Sequence, residues 1–269
     1  MRYALAAALL VVPAAASAQL RPLDPFEWRL LDAPLTVSAE AGGGWLRGQR
    51  ASLAGTEGTL VEAGSFRAHW RTGRVVLEAA GTVRRLFDDE RRFAAPEPTV
   101  TEGGPDRADS GDYRVATAVR LTPERWPLAG ILRFGTRLPT TDDRVGLDRD
   151  ATDFFALVGA RLRRGAVALA AETGVAINGT RQAAFEQDDL LLYILRAEYL
   201  GATGIVPSLT VTGQQVGSGH AELRGNESLG EVRMGFRAGE RRWVRAEAVK
   251  GFTAFSPGWG VLVSVGMAR

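Results

Sequence analysis

Apolar residues recur at every second position in this chain, segment after segment from Leu35 onward, which is the period of a strand with one face in an apolar medium. Leu35, Val37, Ala39, Ala41 and Trp45 alternate with Thr36, Ser38, Glu40, Gly42 and Gly44. Leu60, Gly64, Phe66, Ala68 and Trp70 alternate with Ser65, Arg67, His69 and Arg71, and Glu62 breaks the apolar side. Ten further segments follow, near 74–87, 112–121, 128–138, 152–162, 166–177, 189–199, 208–216, 228–238, 243–253 and 259–268, which makes twelve. Short, glycine-bearing turns (Thr72-Gly73, Arg163-Arg164-Gly165, Gly239 to Arg242) follow the even segments, and long polar loops follow most odd ones. Short turns at one end and long loops at the other describe an all-β, closed, antiparallel up-and-down transmembrane barrel of twelve strands over residues 35–269.

Alternation does not by itself say which face points outward, because a soluble barrel alternates with its apolar face inside. The charges favour a polar lumen. Thirteen arginines (67, 71, 74, 84, 114, 120, 133, 137, 161, 196, 233, 237 and 245) share the polar faces with seven acids (40, 78, 153, 172, 198, 231 and 247), an inward surplus of six. The apolar faces keep Glu62, Arg85 and Lys250, all toward the extracellular end. Aromatic residues collect at the outer strand ends (Trp45, Phe87, Tyr113, Phe154, Phe252, Trp259) and the inner ends (Trp70, Tyr199, Phe236), the two girdles of a membrane barrel. Unpaired strand edges are not tolerated in hydrocarbon, so the sheet is expected to close. The loop from Asp88 to Gly111 is expected to be extracellular and mobile.

Arg2 precedes the apolar run Ala4 to Ala16, which ends in Ala16-Ser17-Ala18, the pattern of a cleavable signal peptide over residues 1–18. Export to the bacterial outer membrane follows. Residues 19–34, with Pro22, Pro25 and Trp28, are expected to form a periplasmic segment or a small plug. The positive charge is 32 arginines and the single Lys250, so it does not switch off at alkaline pH. A net charge of +2 argues against a nucleic-acid partner.

Leu138-Pro139-Thr140-Thr141-Asp142, followed by Gly146-Leu147 and then Asp153-Phe154, resembles the signature of the meta-pathway phenol-degradation family of outer-membrane transporter barrels: a strand ending in Leu-Pro-Thr-Gly-Asp, a glycine-rich loop, then an Asp and an aromatic strand. The resemblance covers residues 131–177 and implies a barrel more than a substrate. Thr141 stands where the family has glycine, and Asp148-Arg149-Asp150 replaces a glycine-rich run.

There is no cysteine, and His69 and His220 lie in different segments, so neither a metal nor a cofactor is expected. The expected function is a channel or transporter for small solutes, with Arg67, His69, Arg114, Arg133, Arg137, Arg161, Arg196 and Arg233 lining the passage. Guanidinium pairs with carboxylate and stacks on rings, so the solute class expected is anionic or aromatic-carboxylate. A plugged barrel without transport is one alternative. An outer-membrane lipid hydrolase using the loop around His220, with Ser218, Asn226 and Ser228, is the other; Glu222 stands where a phospholipase pattern of this kind has serine. Outer-membrane lipid, lipopolysaccharide and the barrel-assembly machinery are the expected partners.

Overall fold

The computed structural model describes residues 20–32, 35–179, 187–201, 204–217 and 225–269. The expected signal peptide, residues 1–18, and His220 with its neighbours Ser218 and Glu222 lie outside them. One helical turn, α1 (Arg29–Asp32), precedes the strands β1 (Val37–Ala51), β2 (Thr56–Thr72), β3 (Val75–Arg92), β4 (Asp106–Asp109), β5 (Tyr113–Arg120), β6 (Leu128–Leu138), β7 (Asp153–Arg164), β8 (Val167–Gly179), β9 (Gln187–Tyr199), β10 (Ile205–Val216), β11 (Leu229–Ala238), β12 (Arg242–Gly251) and β13 (Trp259–Ala268).

All strands join one antiparallel sheet in chain order, and β1 closes it by pairing with β2 on one side and β13 on the other. β4 and β5 lie end to end against β3, one at each end, so they count as a single stave. The result is a closed barrel of twelve staves, as the alternation predicts. Its outer face is apolar: Leu195, Val265, Met234 and Val158 are exposed, with Trp70, Tyr199 and Phe236 at one rim and Phe154, Phe252 and Trp259 at the other. Trp45 packs edge-on against Trp259, with ring centroids 4.8 Å apart. Hydrocarbon solvates such a surface, and in lipid every backbone N–H must find its partner in the ladder.

The structure corrects the expected alternation in one place. Gly64, with φ +68°, is an extra residue between the register pairs Gly42↔Ser65 and Gly43↔Ala63. Such a β-bulge exchanges the two faces of a strand. Below it Ser65, Arg67, His69 and Arg71 face inward; above it Thr56, Gly58, Leu60 and Glu62 do. The opposite stretch of β3 changes phase at Val83 and Arg84, so Arg84 faces outward and Arg85 and Phe87 face inward. Leu60 and Phe87 are therefore buried in the lumen, and Glu62 and Arg85 are not lipid-facing exceptions. Lys250 remains outward.

Two loop expectations also change. β1 and β2 run on to a four-residue connection, Ser52–Gly55, instead of a long loop. The stretch from Asp88 to Gly111 is not one loop. Asp88–Arg92 continue β3, Asp106–Asp109 form β4, and Glu97 N–H donates to the Leu53 carbonyl at 2.8 Å.

Gly64→Val places a β-branched residue in the left-handed region with its Cβ 3.1 Å from Val83. This substitution is expected to lower barrel stability by about 1–2 kcal/mol. The check is the urea midpoint of the folded, heat-modifiable species on a gel. Ala63→Val, beside it on the lipid face, should leave the midpoint in place, and equal midpoints for both variants would contradict the bulge.

Candidate functional site

Residues 20–32 lie inside the barrel. Leu20 packs with Leu46, Leu60, Phe87, Val145 and Leu147 at the end of the long loops. Leu23 packs with Leu157, Leu190, Leu192 and Ile194 on one side of the lumen. Phe26, Trp28, Leu30 and Leu31 pack with Val76, Ala118, Ala129 and Ile131 at the end of the short turns. The segment thus runs the length of the lumen as a plug, its low-numbered end toward the long loops. Gly159 makes room for it, since a Cβ there would stand 3.3 Å from the Trp28 ring.

Each buried side chain of this kind contributes about 1.5–3 kcal/mol when fully removed from water. Ordering the segment costs a comparable amount, about 1–2 kcal/mol per residue. Ion pairs therefore decide where along the lumen the plug sits.

They form a continuous network. Arg21 donates to Glu231 at 2.9 and 3.1 Å and to Glu62 at 3.0 Å. Asp24 accepts from Arg233 at 2.5 Å and lies 4.0 Å from Arg67. Glu27 accepts from Arg245 at 3.2 Å and from Arg29 at 2.9 Å. The backbone is held as well: Phe26 N–H donates to Glu172 at 2.9 Å, and Arg71 and Arg120 donate to the carbonyls of Leu30 (2.7 Å) and Leu31 (3.1 Å). The Arg29 guanidinium lies 4.2 Å above the Trp243 ring.

All eight arginine and histidine residues expected to line a passage face the lumen, and all eight meet a carboxylate. Arg133 bridges Glu78 (2.9 Å) and Glu172 (3.1 Å), and His69 lies 3.7 Å from Glu78. Arg137 reaches Asp112, Asp148 and Asp153 at 3.0, 2.9 and 2.7 Å. Arg114 pairs with Asp112 at 3.0 Å, and Arg67 with Glu40 at 3.4 Å. Arg161 and Arg196 share Glu198, at 3.1 and 3.0 Å, and Arg233 adds Glu231 at 2.9 Å. What remains open beside the plug is a cavity of about 100 Å³, lined by Arg21, Asp24, Arg67, Arg114 and Ser65, and a neighbouring one of about 30 Å³ that His69 borders. Cavities of this size have room for water molecules and are far smaller than a wide pore.

Parity alone misassigns the residues of the outer mouth. Glu62 and Arg85, off parity in the same two segments, signal the bulge that brings them inward, where they pair at 3.3 Å. The plug also has a sequence signal. Leu190-Leu191-Leu192-Tyr193-Ile194 is apolar on both faces, and an aqueous lumen has no use for the inward set Leu190, Leu192 and Ile194.

The motif segment 139–152 folds over the outer mouth as a lid. Asp142 N–H donates to the Asp109 carboxylate at 3.0 Å, Leu147 is fully buried, and Asp148 takes hydrogen bonds from Arg85 and from Arg137. Arg149 is buried against Asp153 and donates to the Gly179 carbonyl at 2.8 Å. Burial, and then the neighbouring Asp112 carboxylate, push the Asp148 carboxyl up to about 7. Burial, reinforced by Arg137, brings the Arg149 guanidinium down to about 10. Among the described residues no group of three His, Cys, Asp or Glu is placed to hold a metal ion.

No family model and no curated protein matches this chain. Among solved structures, an outer membrane channel from Pseudomonas putida aligns over 96% of this chain and 97% of its own, with TM-score 0.59 and 11% identity. LpxR from Salmonella typhimurium aligns over 86% and 99%, with TM-score 0.45 and 11% identity. The first likeness shows the fold alone.

Two outcomes are expected here. Arg133→Ala leaves Glu78 and Glu172 buried without their shared cation, and a loss of about 3–5 kcal/mol in unfolding free energy should follow. For Asp148, a folded-state value near 7 against about 3.9 in an open chain means the closed lid holds the extra proton. Lid protection is therefore highest at low pH and falls as pH rises from about 4 to 7. Hydrogen exchange over residues 139–152, corrected for intrinsic rates, measures this, and Asp148→Asn should reduce the slope.

Proposed function

We propose that this chain is an outer-membrane channel for small solutes, held shut by its own amino-terminal segment. The observation that carries the reading is the plug itself. A thirteen-residue stretch fills the lumen through six apolar side chains and balanced ion pairs, an arrangement that can dock and undock, on a wall notched by Gly159. The apolar outer band, the aromatic rims and the fold shared with an outer membrane channel support the location. Outer-membrane lipid, lipopolysaccharide and the barrel-assembly machinery are its partners in this reading.

The proposed solute class is anionic. When the plug leaves, Asp24, Glu27 and Asp32 leave with Arg21 and Arg29, a net departure of one negative charge: Arg67, Arg233 and Arg245 lose a carboxylate each, Glu62 and Glu231 lose Arg21, and the wall's arginines remain. A narrow pore with low-dielectric walls makes such fixed charge strongly felt. A plugged barrel that transports nothing is the second reading, and the density of ion pairs around the plug favours it. A hydrolase on His220 gains no support from the described residues.

Planar-bilayer recording separates these. The full chain should pass little current. Deletion of residues 20–32 should give a stable, larger conductance with anions preferred in reversal potential, and Gly159→Leu, which crowds Trp28, should raise the open fraction of the full chain. A folded deletion variant that still passes no current would overturn the channel reading.

A further inference from the structure

The plug and the lid meet at the outer mouth through two independent sets of contacts. One is apolar: Leu20 of the plug and Val145 and Leu147 of the lid belong to a single buried cluster, closed by Leu46, Leu60 and Phe87 of the wall. The other is ionic and continuous. Arg21 of the plug lies 3.0 Å from Glu62, Glu62 lies 3.3 Å from Arg85, and Arg85 pairs closely with Asp148 of the lid. Asp148 is in turn 2.9 Å from Arg137. Both sets pass through wall residues turned inward by the bulge at Gly64, namely Leu60 and Glu62, and by the facing phase change of β3 at Val83 and Arg84, namely Arg85 and Phe87.

We propose that the plug tip, Leu20 and Arg21, is the inner half of the latch that keeps the 139–152 lid closed, so that withdrawal of the plug opens both ends of the lumen together. The physical reason lies in what each half leaves behind. Without Leu20, the lid's Val145 and Leu147 close over a void, and cavity formation opposes that packing. Without Arg21, Glu62 is left to Arg85 alone, and Arg85 is drawn away from Asp148. The lid keeps other contacts that do not involve the plug: Asp148 to Arg137 at 2.9 Å, Arg149 to Asp153 and to the Gly179 carbonyl at 2.8 Å, Asp142 N–H to Asp109 at 3.0 Å, and Arg107 to the Val145 carbonyl at 2.8 Å. They tether the loop without filling the mouth. Coupling of this kind is reciprocal, so loosening the lid must also loosen the plug.

The inference takes its purpose from the channel reading, yet its test needs no current, so the two fail separately. The chain has no cysteine, which makes single-thiol labelling clean. Val145→Cys reports on the lid from a buried position, and Thr101→Cys, on an exposed loop, serves as the control. Intact cells are treated with a membrane-impermeant maleimide. In Leu20→Asp, the Val145→Cys thiol should label about tenfold faster or more, and in Arg21→Ala by a smaller factor, while Thr101→Cys labels at one rate throughout. Conversely, Leu147→Asp should speed labelling of Leu23→Cys in the plug. Heat-modifiability on a gel identifies folded barrels, and Leu20→Ala replaces Leu20→Asp where the latter does not fold. Unchanged Val145→Cys labelling in folded Leu20 and Arg21 variants would show that the lid closes on its own and would overturn the latch.

Discussion

Everything inside this molecule follows from the pairing of its first full strand with its last. Ten residue pairs, from Ser38↔Ala268 to Arg47↔Trp259, close the sheet. Hydrocarbon offers no partner to an open edge, so closure is obligatory, and it fixes the number of staves at twelve. That number leaves a lumen too wide for wall side chains to fill alone and too narrow to ignore what enters it. The plug is the consequence: it supplies apolar bulk to Leu157, Leu190 and Ile194, and opposite charges to the arginines.

Arginine is the second determinant. A guanidinium keeps its proton under attainable conditions, so a buried one needs a partner, and its planar fork takes two carboxylates at once. Arg133 does this between Glu78 and Glu172, and Arg137 among Asp112, Asp148 and Asp153. Lysine would serve each site less well. Buried pairs contribute less to stability than to register, because a misplaced plug leaves several charges without partners at once. Asp24 between Arg233 and Arg67, and Arg21 between Glu62 and Glu231, fix the plug in one position along the lumen.

The bulge at Gly64 joins the wall to the outer mouth. The extra residue turns Leu60 and Glu62, and the matching phase change at Val83 and Arg84 turns Arg85 and Phe87, from the lipid side to the lumen side; Arg84 goes outward in exchange, and lid and plug gain a shared seat. The same four side chains serve membrane compatibility below the mouth and closure above it. A defect in strand regularity is here a positioning device.

The sequence by itself determined the barrel, because period-two alternation over twelve segments has few solutions once the charged face is known. It also placed Arg67, His69, Arg114, Arg133, Arg137, Arg161, Arg196 and Arg233 inside, since each lies where the parity is unbroken. Only the tertiary structure decided where that parity breaks. A bulge adds one residue and inverts the face of everything beyond it, and Glu62 and Arg85 marked the inversion only once they were seen to pair. The structure likewise decided what the arginines do. Alternation puts the strand partners Glu40, Glu78, Glu172, Glu198 and Glu231 on the same faces as the arginines, but the partners Asp24, Glu27, Asp112 and Asp148 come from the plug and from residues outside the regular strands, whose positions depend on closure of the whole barrel.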